Sequence, residues 1–100
     1  MKYRILQLDL NKETARSKTF MPWRVLESLG GFNITDYKEV YSGELQTTIE
    51  NKNELLEQIF EKFNLNHPED FHGHSLSVSD VVIIDNEIYF CDSFGWKKVL

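Results

Sequence analysis

The stretch "LSVSDVVIIDNEIYFCDS", Leu76 to Ser93, decides the fold. Leu76 leads into a near-continuous apolar run that ends at Asp85, the pattern of a strand in a sheet interior. Asp85-Asn86 is a two-residue turn candidate, and Glu87 to Ser93 resumes the apolar pattern. Strands over 76–85 and 87–93 are therefore predicted, joined as a hairpin. "FGWKKVL" (94–100) predicts one more short strand.

Working outward, the clearest helix is "NKNELLEQIFEKFN" (51–64). Leu55, Leu56, Ile59, Phe60 and Phe63 fall on one helical face, and the glutamates lie mostly on the other. Asn51 with Glu54 three residues on predicts an N-terminal cap, and Asn64, Asn66 and Pro68 predict the end. "MPWRVLESLGG" (21–31) predicts a shorter helix, opened by Pro22 and stopped by Gly30-Gly31. "YRILQLDL" (3–10) alternates, with Leu6, Leu8 and Leu10 opposite Tyr3, Ile5 and Gln7, and predicts a strand. "DYKEVYSGEL" (36–45) predicts an edge strand, and 11–20 a polar loop. The order β-α-β-α-β-β-β gives an α+β fold: a small, mostly antiparallel sheet of four to five strands with two helices on one face. One hundred residues suit a single domain, 1–100.

Composition narrows the chemistry. The single cysteine, Cys91, excludes an internal disulfide and a multi-cysteine zinc site. The longest apolar runs fall far short of the ~18 residues of a membrane span, and the first residues lack a signal peptide's apolar core. A protein of a reducing cytoplasm is the expectation. The formal net charge is -5, concentrated in residues 36–70, where three basic side chains meet nine acidic ones. Such a balance disfavours direct nucleic-acid binding, which rests on Lys and Arg, and suits a basic protein surface. The basic loop residues Lys12, Arg16 and Lys18, with Arg24, form only a weak counter-signal.

Between helix and hairpin lies "HPEDFHGHSLSVSD", with His67, His72 and His74 beside Glu69, Asp70 and Asp80. The residue types suit a metal, which makes a metal-dependent enzyme one reading. The spacing fits neither HExxH nor the deaminase motif, and no metal or other cofactor is expected. Cys91 has no local activating neighbours, and Ser75, Ser77 and Ser79 lack a nucleophile elbow. Hydroxyls alternating with Leu76 and Val78 predict a segment that caps nearby backbone. No catalytic residue is assigned.

The stretch 71–99 resembles the YodL-like domain, a family of small proteins in Gram-positive bacteria and their phages, plasmids and conjugative elements. Its Ser-Leu-Ser-Val-Ser-Asp-Val-Val signature is matched by Ser75 to Val82, preceded by Gly73. Tyr89, Asp92, Ser93 and Gly95 match its closing pattern. His74 stands where the family usually has Arg, and Trp96 where it has Phe. With 37–45, the helix and 63–71, the resemblance covers about two-thirds of the chain. It implies a non-enzymatic inhibitor or adaptor that binds a host protein. One implied target is an RNA-guided CRISPR nuclease, the protein then being an anti-CRISPR; the alternative is the actin-like cell-shape filament built by MreB. Charge favours the nuclease's basic channel. The candidate contact residues are Asp36, Glu39, Glu44, Glu50, Glu54, Glu57, Glu61 and Trp96. Gly73, Ser75, Ser77, Ser79, Asp80, Asp92, Ser93 and Gly95 are expected to be structural.

Overall fold

A computed structural model describes residues 1–46 and 50–99. The elements are β1 (Lys2–Leu8), a single helical turn α1 (Glu13–Arg16), α2 (Trp23–Ser28), β2 (Tyr37–Glu44), α3 (Lys52–Leu65), β3 (Val81–Ile84), β4 (Glu87–Cys91) and β5 (Trp96–Lys98). A 3-10 turn, Ile34–Asp36, leads into β2. The fold is α+β, with one antiparallel sheet in the order β2-β1-β3-β4-β5. β1 separates β2 from β3, which run parallel and are joined through α3. This is a split β-α-β unit extended by the β3–β4 hairpin. β2 is an edge strand, as its polar alternation predicts. Leu100, the last residue of the predicted final strand, lies outside the described residues.

Asp85 and Asn86 form the hairpin turn with φ of 51° and 66°. Positive φ at both positions lets a two-residue loop follow the sheet's twist. The strand before it is shorter than predicted. Residues 76–80 are turn rather than strand, because the Asp80 carboxylate accepts from Ser77 N–H at 3.0 Å and Asp80 N–H returns to Ser77 O. Ser79, with φ 84°, completes that turn. The ladder still begins there: Ser79 N–H donates to Cys91 O, and Cys91 N–H to Asp80 O.

The helices do not share a face of the sheet. Tyr3, Ile5, Val82, Ile84 and Tyr89 pack with Leu55, Leu56, Ile59 and Phe63 of α3. Their neighbours Leu6, Leu8, Val81 and Phe90 pack instead with Ala15 of α1, Leu26 of α2 and Tyr37. Side chains alternate along a strand, so the two clusters lie on opposite sides. The central strands are apolar on both faces, and each face needs its own cover. Leu10, expected to extend the even-numbered stripe, lies beyond the end of β1 and is exposed.

α3 forms as its pattern requires. The Asn51 side chain accepts from the N–H groups of Asn53 and Glu54, and four fully buried side chains lie on the inner face. Each of those four contributes about 1.5–3 kcal/mol of burial. α2 stops at Gly30 and Gly31, with φ of 105° and 82°. The predicted loop 11–20 is more ordered than its polarity suggests: α1 buries Ala15, and Lys18 is buried after it.

Candidate functional site

The polar segment after α3 resolves into a network centred on Gln7. This side chain sits in β1 on the face of Tyr3 and Ile5, at 2% exposure. Its Nε2 donates to His74 O at 2.8 Å and to Asp80 Oδ2 at 3.1 Å, and its Oε1 accepts from His74 N–H at 3.2 Å. One glutamine therefore clamps both ends of the segment 74–80. Gly73 is required by space, since a Cβ there would fall on Gln7 Oε1 and the Phe71 ring.

Asp80 is 1% exposed. Burial raises its carboxyl to about 7, against the opposing pull of His74, the Ser77 N–H and Gln7. His74 Nε2 lies 3.8 Å from Asp80 Oδ1, on the solvent side. Ser79 joins the network to the α1/α2 side of the sheet: its Oγ accepts from Phe20 N–H at 3.0 Å, and its carbonyl accepts from the Tyr37 hydroxyl at 2.6 Å. Burial, then the nearby Asp80 and Asp36, pushes the Tyr37 phenol up. The segment thus ties together β1, β2, β3 and the approach to α2. Ser75 is exposed and contributes its carbonyl, which His74 Nδ1 meets at 2.7 Å.

The histidines and acids do not converge on a metal. Among the described residues, no group of three or more His, Cys, Asp and Glu is placed to hold one. His67 turns to Pro68 O and lies against Phe71, His72 is exposed, and only His74 reaches Asp80. Cys91 is buried in β4. Burial, with Asp80, Glu57 and Asp92 nearby, pushes its thiol up to about 12, the reverse of an activated nucleophile.

The expected contact residues divide. Asp36 is 4% exposed and is not a contact: its carboxylate accepts from Lys18 Nζ at 2.7 Å and Thr14 Oγ1 at 2.7 Å. The same pair removes Lys18 from the basic loop's surface. Among the other basic residues, Lys12 Nζ donates to Thr35 O, Arg16 Nε donates to Leu10 O, and Arg24 is exposed on α2. Glu39 pairs with Arg4, and Glu44 lies 4.0 Å from the Met1 amino group. Glu50, Glu54, Glu57 and Glu61 are exposed.

Trp96 joins the acidic helix to the C-terminal hairpin. Its indole N–H donates to Glu57 Oε1 at 3.2 Å, and its ring meets Phe60 edge-on at 6.3 Å. Between them and the 76–78 segment lies a groove of about 390 Å³, bounded by Leu76, Ser77, Val78, Cys91, Asp92 and Ser93. The turn at its lip is closed by Asp92 N–H donating to Gly95 O, with Gly95 at φ 75°. Asp92 Oδ1 accepts from Ser93 N–H and, across the fold, from Trp23 N–H at the start of α2. At the tip, Phe94 stands 97% exposed. Phe94 stands out in the sequence beside Trp96 around Gly95, though only Trp96 is a candidate contact there. Sequence reasoning missed the role of Gln7, whose signal was a polar side chain on an apolar strand face.

A family model, that of the YodL-like domain, matches residues 2–100, which extends over the first third of the chain as well. No curated protein and no solved structure matches.

Proposed function

The chain belongs to the YodL-like domain family, and we propose that it works by holding another protein rather than by catalysis, as an inhibitor or adaptor in a bacterial host. One observation carries this reading. The Glu57–Trp96 hydrogen bond joins an exposed acidic helix face to a hairpin whose tip is a bare phenylalanine. Acidic residues steer a basic partner and set register, while Trp and Phe at a desolvated centre supply most of the affinity. Glu54, Glu57 and Glu61, with Trp96 and Phe94, form this surface; Glu50 sits at its margin. Cys91 and the three histidines offer no assembled chemistry to compete with it.

The partner's surface is basic with an apolar pocket. A guide- or DNA-binding channel of an RNA-guided CRISPR nuclease has that character, which favours an anti-CRISPR role. Among the described residues, no helix is long and apolar enough to cross a membrane.

The test uses the full chain and a variant with Glu54→Lys, Glu57→Lys and Glu61→Lys. Affinity capture from the host, followed by DNA cleavage assays with guide-loaded nuclease, reads binding and inhibition. The wild type should retain a nuclease subunit and block cleavage, and the variant should do neither while keeping its circular dichroism spectrum. Capture of the MreB filament protein, with cleavage untouched, would transfer the reading to cell-shape control. Equal capture by variant and wild type would end the acidic-surface model.

A further inference from the structure

We propose that His74 and Asp80 share one proton, and that this proton latches the 74–80 segment, with one wall of the groove beside Trp96, against the sheet. The partners of His74 fix its tautomer. Nδ1 lies 2.7 Å from Ser75 O, which can only accept, so Nδ1 carries the hydrogen. Gln7 Nε2 also lies near Nδ1, at 3.2 Å, but its hydrogens go to His74 O and Asp80 Oδ2. In the neutral ring Nε2 is therefore a bare acceptor, and it faces Asp80 Oδ1 at 3.8 Å. Asp80 Oδ2 accepts from Gln7 and from Ser77 N–H, while among the described residues no hydrogen bond reaches Oδ1. One proton, carried on the ring or on the carboxyl, draws the two atoms into a hydrogen bond. Without it, a buried carboxylate oxygen faces a lone pair and is left unsatisfied.

The groups around the pair supply no substitute for that proton. Gln7 of β1 and Asn64 of α3, which bond to the segment, are uncharged. Tyr37 of β2 and Cys91 of β4 lie near Asp80 and stay neutral, the phenol pushed up and the thiol raised to about 12. Lys38, Glu39 and His72 line the open side of His74, and among the described residues none of them bonds to the pair. Burial raises the Asp80 carboxyl to about 7, so the proton is held below that pH and is lost as pH rises through it. Its loss loosens what the segment carries. Phe20 holds φ 62°, a left-handed conformation costly to a side chain, with its N–H on Ser79 Oγ and its ring edge-on to His74 at 5.7 Å. Leu76, Ser77 and Val78 form the groove wall opposite Phe60 and Trp96. One titration thus governs an exposed aromatic and part of the α3–hairpin surface, whatever partner that surface holds.

The experiment follows the isotope-labelled full chain by NMR from about pH 5 to about pH 8.5. The His74 ring nitrogens should show Nδ1 protonated throughout, with the Nε2 signal moving in the same step as the Asp80 carboxyl carbon. Amide protection at Phe20, His74 and Ser77, corrected for the intrinsic exchange rate, should fall at least about tenfold between about pH 5 and pH 7.5. The Trp96 indole signal should move with it. Asp80→Asn places an amide N–H where the proton sat, and His74→Arg places a permanent donor there. Both should abolish the fall, and His72→Gln should leave it intact. A neutral His74 protonated at Nε2, an Asp80 midpoint unchanged by His74→Ala, a Trp96 indole that ignores the step, or an equal fall in Asp80→Asn would each overturn the latch. Where a substitution prevents folding, the wild-type ring, carboxyl and indole signals decide alone.

Discussion

Lys18 Nζ lies 2.7 Å from Asp36 Oδ2 with both side chains buried, and this pair closes the long connection between β1 and β2. Lys18 Nζ also donates to Gly31 O, and Thr14 secures the second carboxylate oxygen. Removing one charge strands the other. Lys18→Met should therefore cost about 3–5 kcal/mol. Urea denaturation checks this, and a Lys18→Met/Asp36→Asn double variant should lose less than the two single losses added. Burial alone would raise the Asp36 carboxyl, but Lys18, Thr14 and Lys12 bring it below its ordinary value. Its stabilising contribution is present above the unfolded-state pKa and is lost as pH falls through the folded one.

Asp80 has the opposite sign. Burial raises its carboxyl from 3.8 to about 7. The folded chain holds a proton that the unfolded chain releases, so this contribution is complete below the unfolded value and is lost as pH rises through the folded one. Asp80→Asn should flatten the fall in stability between about pH 4 and 7, the interval from the unfolded to the folded value. Urea midpoints across a pH series read the slope. A variant series parallel to the wild type would remove Asp80 as its source.

Gly73→Ala tests the clamp. The added methyl displaces Gln7 Oε1 or the Phe71 ring. Overpacking of this kind costs about 1–3 kcal/mol. Hydrogen exchange should show early opening of residues 74–80, because the bonds from Gln7 to His74 and Asp80 loosen together. Unchanged protection there would show that the segment is held without Gln7.

Asn86→Gly should raise stability by about 0.5–1 kcal/mol, since Asn86 holds φ 66° in the hairpin turn. Asp85 is left unchanged because Lys52 Nζ donates to it at 2.8 Å, joining the turn to α3. Thermal melts report the change; a loss would mean the Asn86 side chain contributes a contact of its own.

These cases show which parts of the molecule a reader of the chain can reach. α3 and the β3–β4 hairpin were legible because both are written in neighbouring residues: a cap, an apolar face, a two-residue turn. The side on which each helix packs was not, because apolar strands accept cover on either face. Lys18 and Asp36 looked like surface charges of two separate segments; only the folded connection brings them together. Ser77 and Ser79 look alike in the sequence, yet the Ser79 hydroxyl accepts from Phe20 N–H, while Ser77 bonds Asp80 through its backbone and its hydroxyl pairs with no side chain or backbone group among the described residues. Asp80 likewise folded residues 76–80 into a turn that apolar content alone would have extended into strand. Trp96 was legible as an aromatic anchor, but its link to Glu57 depends on how α3 crosses the sheet.

The placement of β1 between β2 and β3 also governs the order of assembly. Tyr3 pairs with Gly43 on one side and with Ile84 on the other. A growing chain can form α3 and the β3–β4 hairpin from local contacts, while β1 must wait for its second neighbour until β3 has emerged. Loop closure over that span makes the joining of β1 to β3 the slow event in folding. Until it happens, both apolar faces of β1 stand open, and that interval is when a newly made chain is most exposed to aggregation or proteolysis.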